Sequence, residues 1–181
     1  MGALRPFFIL EDSFMNKRAR ILAQAALIAA MYVGLTHLQN LLLPGSATWA
    51  VQFRASEALC ILALFTPSAI PGLSIGCFLF NLTYAGALPL DPILGTLATA
   101  LATFAMYLLR RRSWAALWMP ALFNGLLVGW ELTLYIGNGF WLNAFYVALG
   151  EAAVLLTLGR LLWAVIQKNS LQRRLFGDCA H

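Results

Sequence analysis

Residues 19–38 read ARILAQAALIAAMYVGLTHL, an apolar run of twenty residues in which one arginine is the only permanently charged side chain. A helix of about 20 apolar residues is long enough to cross the ~30 Å hydrocarbon core of a bilayer. The rest of the chain has the same character, because 61% of its 181 residues are hydrophobic and 10% are charged. Soluble proteins are roughly a quarter charged. The composition therefore excludes a water-soluble fold and predicts an all-α integral membrane protein.

Further apolar segments follow this first helix, each bounded by proline, glycine or charged residues. Pro67 and Pro71 divide the second apolar run, because proline lacks the backbone N–H and disfavours helix in the residue before it. The two short helices that result form either two spans or a re-entrant hairpin. We predict a six-transmembrane-helix bundle, with helices over 19–38, 55–65, 71–82, 90–109, 118–136 and 140–166.

The basic residues indicate the orientation of these helices. Lysine and arginine cluster before the first helix, between the fourth and the fifth, and after the sixth, and short loops rich in them stay in the cytoplasm. Six spans with both termini cytoplasmic satisfy all three clusters. We therefore predict one transmembrane domain over 1–181, with a poorly defined N-terminal segment, 1–16, too short in its apolar core for a cleaved signal sequence, and a basic cytoplasmic tail, 168–181.

Several functional classes lack their sequence signatures. The net charge of +5 lies between and beyond the apolar runs rather than on one face, so no nucleic-acid partner is expected. The chain has no phosphate-binding loop, no G-x-S-x-G, no H-E-x-x-H and no plausible Cys/His pair. Cys60, Cys77 and Cys179 have no metal-ligand spacing, and the first two read as small hydrophobic residues within spans. We therefore expect no enzyme activity, no metal and no cofactor.

Charged and amide side chains inside the predicted spans are the candidate site. Such groups are costly in a bilayer and usually face the interior of a bundle, where they bind substrates or ions. The topology places them on five helices, mostly in the outer half, which suggests a cavity open to the exterior for a ligand rich in hydrogen-bond donors. The alternatives are interhelical packing bonds, an Arg54–Glu57 pair on one helix face and a capping role for Asp91. The set comprises Arg54, Glu57, Asn81, Asp91, Asn124, Glu131, Asn143 and Glu151.

Small residues form a stripe along the first predicted helix. Such a stripe lets a second helix approach closely, either within this chain or from a partner subunit. A second small pair, Ala25 and Ala29, lies on another face of the helix. The stripe itself comprises Ala19, Ala23, Ala26, Ala30 and Gly34.

Several ordered motifs between residues 17 and 167 resemble the QueT family, the queuosine-precursor transporters among the substrate-binding (S) components of energy-coupling factor (ECF) uptake systems. The motifs are QFRASEAL at 52–59, FTPSAIPGL at 65–73, LDPILGTLAT at 90–99, NG at 124–125, GWEL at 129–132, FWLN at 140–143 and GE at 150–151.

The resemblance implies a six-helix subunit of the bacterial cytoplasmic membrane that binds a vitamin-like solute outside the cell. Such subunits associate with a membrane coupling subunit and two cytoplasmic ATPases, and present an Ala-x-x-x-Ala element of the first helix to the coupling subunit. Ala19–Ala23, Ala25–Ala29 and Ala26–Ala30 all have that spacing, so the register stays open.

The resemblance also implies a 7-deazaguanine ligand, either queuine or 7-aminomethyl-7-deazaguanine. We assign Glu131 or Glu57 to the base edge, Asn143 and Asn124 to the carbonyl and ring nitrogens, and Trp141 to stacking. Three alternatives remain: an S component for another purine-like or vitamin solute, a stand-alone proton-coupled carrier with Glu131 and Glu151 as relay groups, and a purely structural membrane subunit.

Overall fold

The computed structural model describes residues 17–46 and 53–168, and all regular secondary structure within them is helical. The all-α prediction is thus confirmed. The N-terminal segment 1–16, most of the basic tail and Cys179 lie outside the described residues. The elements are α1 (Lys17–Leu42), a 3-10 helix (Ala55–Leu64), α2 (Ala69–Thr83), α3 (Asp91–Leu108), α4 (Ser113–Leu117), α5 (Met119–Tyr135), α6 (Phe140–Val154), a π turn (Leu155–Gly159) and α7 (Arg160–Lys168).

Four stretches of the described chain are long and apolar enough to cross a membrane: Arg18–Leu42, Asp91–Leu108, Trp114–Tyr135 and Phe140–Lys168. Each overlaps one of the helices predicted from hydropathy. The 3-10 helix and α2 are shorter, and at ~2.0 Å and ~1.5 Å per residue they extend roughly 20 Å each, less than the ~30 Å apolar core of a bilayer. The four long stretches indicate that the chain is a multi-pass membrane protein. The number of six spans stays a prediction.

The helices pack as neighbours along a row, with the 3-10 helix inside it. α1 contacts α2, α2 contacts α3, α3 contacts α5, and α5 contacts α6. The 3-10 helix contacts α1, α2, α3, α6 and α7, and its residues 56–63 are all buried. Large apolar side chains such as Leu22, Leu97 and Phe145 are exposed on the outside of the bundle, where lipid would cover them. The centre of the bundle is therefore built around the 3-10 helix.

Glycines bring two of these helix pairs together. A Cβ atom on Gly76 would lie 2.8 Å from the Tyr32 Cβ, and one on Gly72 would lie 2.8 Å from the Ala25 carbonyl oxygen, so α2 tolerates no side chain at either position against α1. Between α5 and α6, a Cβ on Gly129 would lie 2.6 Å from the Ala144 Cα. Close backbone approach at small residues is how membrane helices gain packing energy without a hydrophobic driving force.

A π turn interrupts the last apolar stretch between α6 and α7. Its final residue, Gly159, faces Ile61 of the 3-10 helix, where an added Cβ would lie 3.2 Å from the isoleucine side chain. The sequence predicted one continuous sixth helix. The extra residue of the π turn is consistent with the close contact that α6 and α7 make with the central helix.

Candidate substrate-binding site

The polar residues predicted within the spans are all buried. None of the eight is more than 4% exposed. Seven of them, together with Tyr32 and Cys60, occupy two groups in the interior. The Asp91 cluster consists of Asn81, Asp91 and Glu131, and the Glu57 cluster consists of Tyr32, Glu57, Cys60, Asn124 and Glu151, with Arg54 interacting with both.

The Asp91 cluster joins the ends of α2, α3 and α5. Asn81 donates from Nδ2 to the Asp91 backbone carbonyl at 3.0 Å, and the Leu88 backbone N–H donates to Asp91 Oδ2 at 2.7 Å. The Glu131 carboxylate interacts electrostatically with Asp91. Asp91 thus holds the turn that precedes α3 with one oxygen, but it does not cap the helix, because Leu90 is the N-cap residue of α3 and no side chain caps it. Asn81 Oδ1, Asp91 Oδ1 and both Glu131 oxygens have no hydrogen-bond partner of full geometry among the described residues, although Glu131 lies close enough to Asp91 and to the Leu90 backbone to interact with both.

The Glu57 cluster lies where the 3-10 helix meets α1 and α6, and Asn124 of α5 joins it beside Glu151. Both Glu57 oxygens have donors, since Tyr32 Oη lies 2.5 Å from Oε1 and Cys60 Sγ lies 3.1 Å from Oε2. Glu151 interacts electrostatically with Glu57, and the Asn124 amide faces the Glu151 carboxylate. Asn124 Nδ2 and Glu151 Oε2 make no hydrogen bond of full geometry to any described residue, although the two side chains interact with each other.

Arg54 is the buried cation common to both clusters. It is 3% exposed, and its guanidinium carbon lies 5.8 Å from the centroid of the Phe80 ring. Its guanidinium interacts electrostatically with all four buried carboxylates, Glu57, Asp91, Glu131 and Glu151. Within the described part of the chain, one positive charge therefore serves four acidic side chains.

Two predicted site residues lie apart from the clusters. Asn143 donates from Nδ2 to Thr133 Oγ1 at 3.1 Å and to the Gly137 carbonyl at 2.9 Å, which ties the start of α6 to the end of α5. Trp141 is 78% exposed and packs edge-to-face on Phe140. The structure therefore does not bring Trp141 to the buried polar groups.

The described residues close over both clusters, whereas the polar pattern suggested a cavity open to the exterior. The structure has an apolar groove of about 640 Å³ between α5 and α6 and a cavity of about 170 Å³ beside Trp114 and Arg160. None of the predicted site residues lines either space. The site is thus an enclosed polar interior in this conformation.

A sequence model of the QueT transporter family matches residues 22–168. The chain belongs to the QueT transporter family. No curated protein and no solved structure matches it. Ionisable groups buried within membrane transporters in general mark substrate or ion pathways.

Two residues in the interior of this QueT-family chain were missed by sequence reasoning. Tyr32 is fully buried and binds Glu57, and the Cys60 thiol donates to Glu57 although we interpreted it as a small hydrophobic residue. A signal for Tyr32 existed, because it follows Ala25 and Ala29 at helical spacing and Thr36 continues the same buried face. Thr36 donates to Ser56 Oγ at 2.7 Å, so this face of α1 is polar toward its C-terminal end.

The structure separates the two alanine faces of α1. Ala25 and Ala29 are 6% exposed and pack against α2, where the Gly72 and Gly76 contacts lie. Packing within the chain therefore occupies that face. The residues of the small-residue stripe all stay exposed: Ala19, Ala23, Ala26, Ala30 and Gly34.

Replacing Tyr32 by phenylalanine is expected to destabilise this member of the QueT family. The substitution removes the donor to Glu57 Oε1 and leaves a buried carboxylate oxygen without its partner, which costs about 1–3 kcal/mol. We expect a lower apparent melting temperature for Tyr32→Phe in detergent, while Tyr135→Phe, at an exposed tyrosine of α5, melts as the wild type does. Equal melting temperatures for Tyr32→Phe and the wild type would contradict the role of this bond.

Proposed function

We propose that the chain is the S component of an ECF-type uptake transporter of the bacterial cytoplasmic membrane. It captures a queuosine precursor, queuine or 7-aminomethyl-7-deazaguanine, from outside for import driven by two cytoplasmic ATPases through a membrane coupling subunit. Membership of the QueT transporter family supports transport. The observation that carries the ligand assignment is the set of buried side-chain atoms without partners in the Asp91 and Glu57 clusters.

Buried polar atoms without hydrogen-bond partners in the protein suggest that a ligand supplies the missing partners. Leaving one such atom unsatisfied costs about 1–3 kcal/mol, and more when the group is charged. A solute that carries several N–H donors and a carbonyl acceptor removes these costs on binding. A 7-deazaguanine has N–H donors and a carbonyl on one edge, and the two proposed precursors carry an amine on the other side.

The hydrogen bonds of the two glutamates change the roles that we assign to them. Glu57 already accepts from Tyr32 and Cys60, so it supports the interior beside Glu151 and lines the site without a free oxygen. Glu131 keeps both oxygens for a ligand. Asn124 keeps a donor, whereas the Asn143 donor is committed to Thr133 and Gly137.

Thermal-shift measurements on the purified full chain test the ligand class. We expect queuine and 7-aminomethyl-7-deazaguanine to raise the apparent melting temperature, because a ligand that binds only the folded state stabilises it. Riboflavin and thiamine serve as controls and are expected to leave the melting temperature unchanged. Stabilisation by a control solute alone would indicate another substrate, and no response to any of them would favour a structural subunit.

Reconstitution tests the source of energy. Glu131 and Glu151, which both interact with Arg54 in the interior, would also suit a stand-alone proton-coupled carrier as its relay groups. In liposomes containing only this chain, we expect no concentrative uptake under a pH gradient, and we expect uptake once the ECF coupling subunit, both ATPases and ATP are supplied. Accumulation driven by the pH gradient alone would establish a stand-alone carrier.

The exposed alanine stripe of α1 is the proposed contact with the coupling subunit. Ala23→Leu and Ala26→Leu each place a larger side chain on that face, so we expect co-purification with the ECF coupling subunit to fall at least tenfold without loss of ligand binding. Ala153→Leu, the same change at an exposed position of α6, is the matched control. Undiminished assembly of both stripe variants would place the contact elsewhere.

A further inference from the structure

The Asp91 cluster presents hydrogen-bond acceptors alone to the interior. The backbone of the turn before α3 fixes two of its side chains, since the Asn81 amide nitrogen binds the Asp91 carbonyl and Asp91 Oδ2 binds the Leu88 N–H. What remains is Asn81 Oδ1, Asp91 Oδ1 and both Glu131 oxygens, on side chains no more than 3% exposed. None of these four atoms has a hydrogen-bond partner of full geometry in the described chain, although Glu131 also interacts with Asp91 and the Leu90 backbone.

An ammonium group is the ligand chemistry that fits this arrangement. It carries three N–H donors, no acceptor and a positive charge. The positive charge matters because burial disfavours a charged carboxylate, and a cation beside Asp91 and Glu131 offsets that cost. A nitrile has no hydrogen-bond donor and no charge, so all four acceptors would stay without a hydrogen bond from the ligand.

The other end of the interior has a different pattern. Asn124 Nδ2 is a donor and Glu151 Oε2 is an acceptor, and the two side chains interact with each other. Neither atom makes a hydrogen bond of full geometry to a described residue. A donor beside an acceptor complements a lactam edge, whose carbonyl accepts and whose ring N–H donates. The Asp91 cluster lacks the donor that such an edge requires.

The spacing of the two ends suits one small ligand. Asn124 and Glu131 stand seven residues apart on α5, which is about two turns and ~10.5 Å along the same helix face. A bicyclic base with a short amine arm can extend over that separation.

We infer that the site recognises its ligand as a cation and in one orientation: the protonated amine binds Asn81, Asp91 and Glu131, and the lactam edge binds Asn124 and Glu151. The inference rests on the proposed function and deepens it, because it separates 7-deazaguanines that carry an amine from those that do not.

Calorimetric titration of the purified full chain with two matched ligands tests this inference. 7-Aminomethyl-7-deazaguanine and 7-cyano-7-deazaguanine share the ring and differ in an ammonium against a neutral nitrile. Since charge-assisted hydrogen bonds contribute ~1.5–3 kcal/mol, we expect the aminomethyl compound to bind about 30-fold more tightly. Asp91→Asn is expected to reduce that preference to below about fivefold, whereas Glu151→Gln weakens both ligands alike and keeps the preference.

The outcomes separate the inference from the proposed function. Equal affinity of the wild type for both compounds overturns the cationic subsite while the proposed function stands. Binding of neither compound overturns the proposed function itself. Should Asp91→Asn lose its cooperative melting transition, Glu131→Gln takes its place in the same comparison. A variant of the Asp91 cluster that weakens both ligands equally shows that the amine binds elsewhere.

Discussion

Glu131→Gln is expected to weaken the binding of 7-aminomethyl-7-deazaguanine by about 100-fold, through the loss of charge-assisted hydrogen bonds contributing roughly 1.5–3 kcal/mol. Glu131 is fully buried beside Asp91, and neither carboxylate oxygen has a hydrogen-bond partner of full geometry among the described residues, so a cationic ligand can bind it. Glutamine keeps the size of the side chain but removes the charge and turns one acceptor into a donor, which then faces the amine of the ligand. Calorimetric titration of the purified variant measures the change directly.

The control for Glu131→Gln is a second buried substitution that keeps the shape of the side chain. Thr103 is fully buried on α3 and donates to the Thr99 carbonyl of its own helix at 2.7 Å. Thr103→Val therefore tests whether any loss of buried polarity impairs binding, and we expect its affinity to match that of the wild type. Affinity within threefold of the wild type for Glu131→Gln would remove this residue from the site.

Gly129→Ala is expected to lower the free energy of unfolding by about 1–3 kcal/mol, the usual cost of overpacking a tight contact. Its new Cβ would lie 2.6 Å from the Ala144 Cα and 2.8 Å from the Ala144 nitrogen. Both atoms belong to the backbone of α6, so they cannot move aside as a flexible side chain would. The helices α5 and α6 must separate, and the melting temperature in detergent should fall by several degrees.

Gly34→Ala supplies the matched control for this substitution. Gly34 also lies within a helix, but no heavy atom lies within 4 Å of the position of its Cβ. Alanine is favoured over glycine in a helix by ~1 kcal/mol, so Gly34→Ala should melt at the same or a higher temperature. Were Gly129→Ala to melt above the wild type as well, helix propensity would outweigh the contact with α6.

The helices were predictable because hydropathy and proline placement act locally. The long apolar stretches overlap their predicted ranges, and the break around Pro67 lies between the 3-10 helix and α2. The 3-10 character of Ala55–Leu64 and the π turn at Leu155–Gly159 were not predictable in this way. Both segments depart from α-helical backbone geometry where they pack against several other helices. These contacts join residues that are far apart in the sequence, so a local sequence pattern does not predict them.

The sequence predicted which residues the candidate site contains, but not which of them already have hydrogen-bond partners within the protein. Charged side chains are costly in lipid, so those within the predicted spans were expected to be buried, and Glu57 and Glu131 are among those that are. Sequence could not tell these two glutamates apart, because Tyr32, which binds Glu57, lies 25 residues away on another helix. The prediction that Trp141 stacks on the ligand used only its residue type. Its position on α6 places the side chain on the outside of the bundle.

The single arginine shared by the four carboxylates has a consequence for how mutational data on this chain should be combined. Because all four carboxylates interact with Arg54, removing one of them changes the electrostatic surroundings of the other three, so paired substitutions should depart from the sum of the single effects. A double-mutant cycle between Asp91 and Glu151 would then report thermodynamic coupling between residues at opposite ends of the interior. Arg54 thus makes the polar interior one electrostatic unit, whose parts respond together when a ligand arrives.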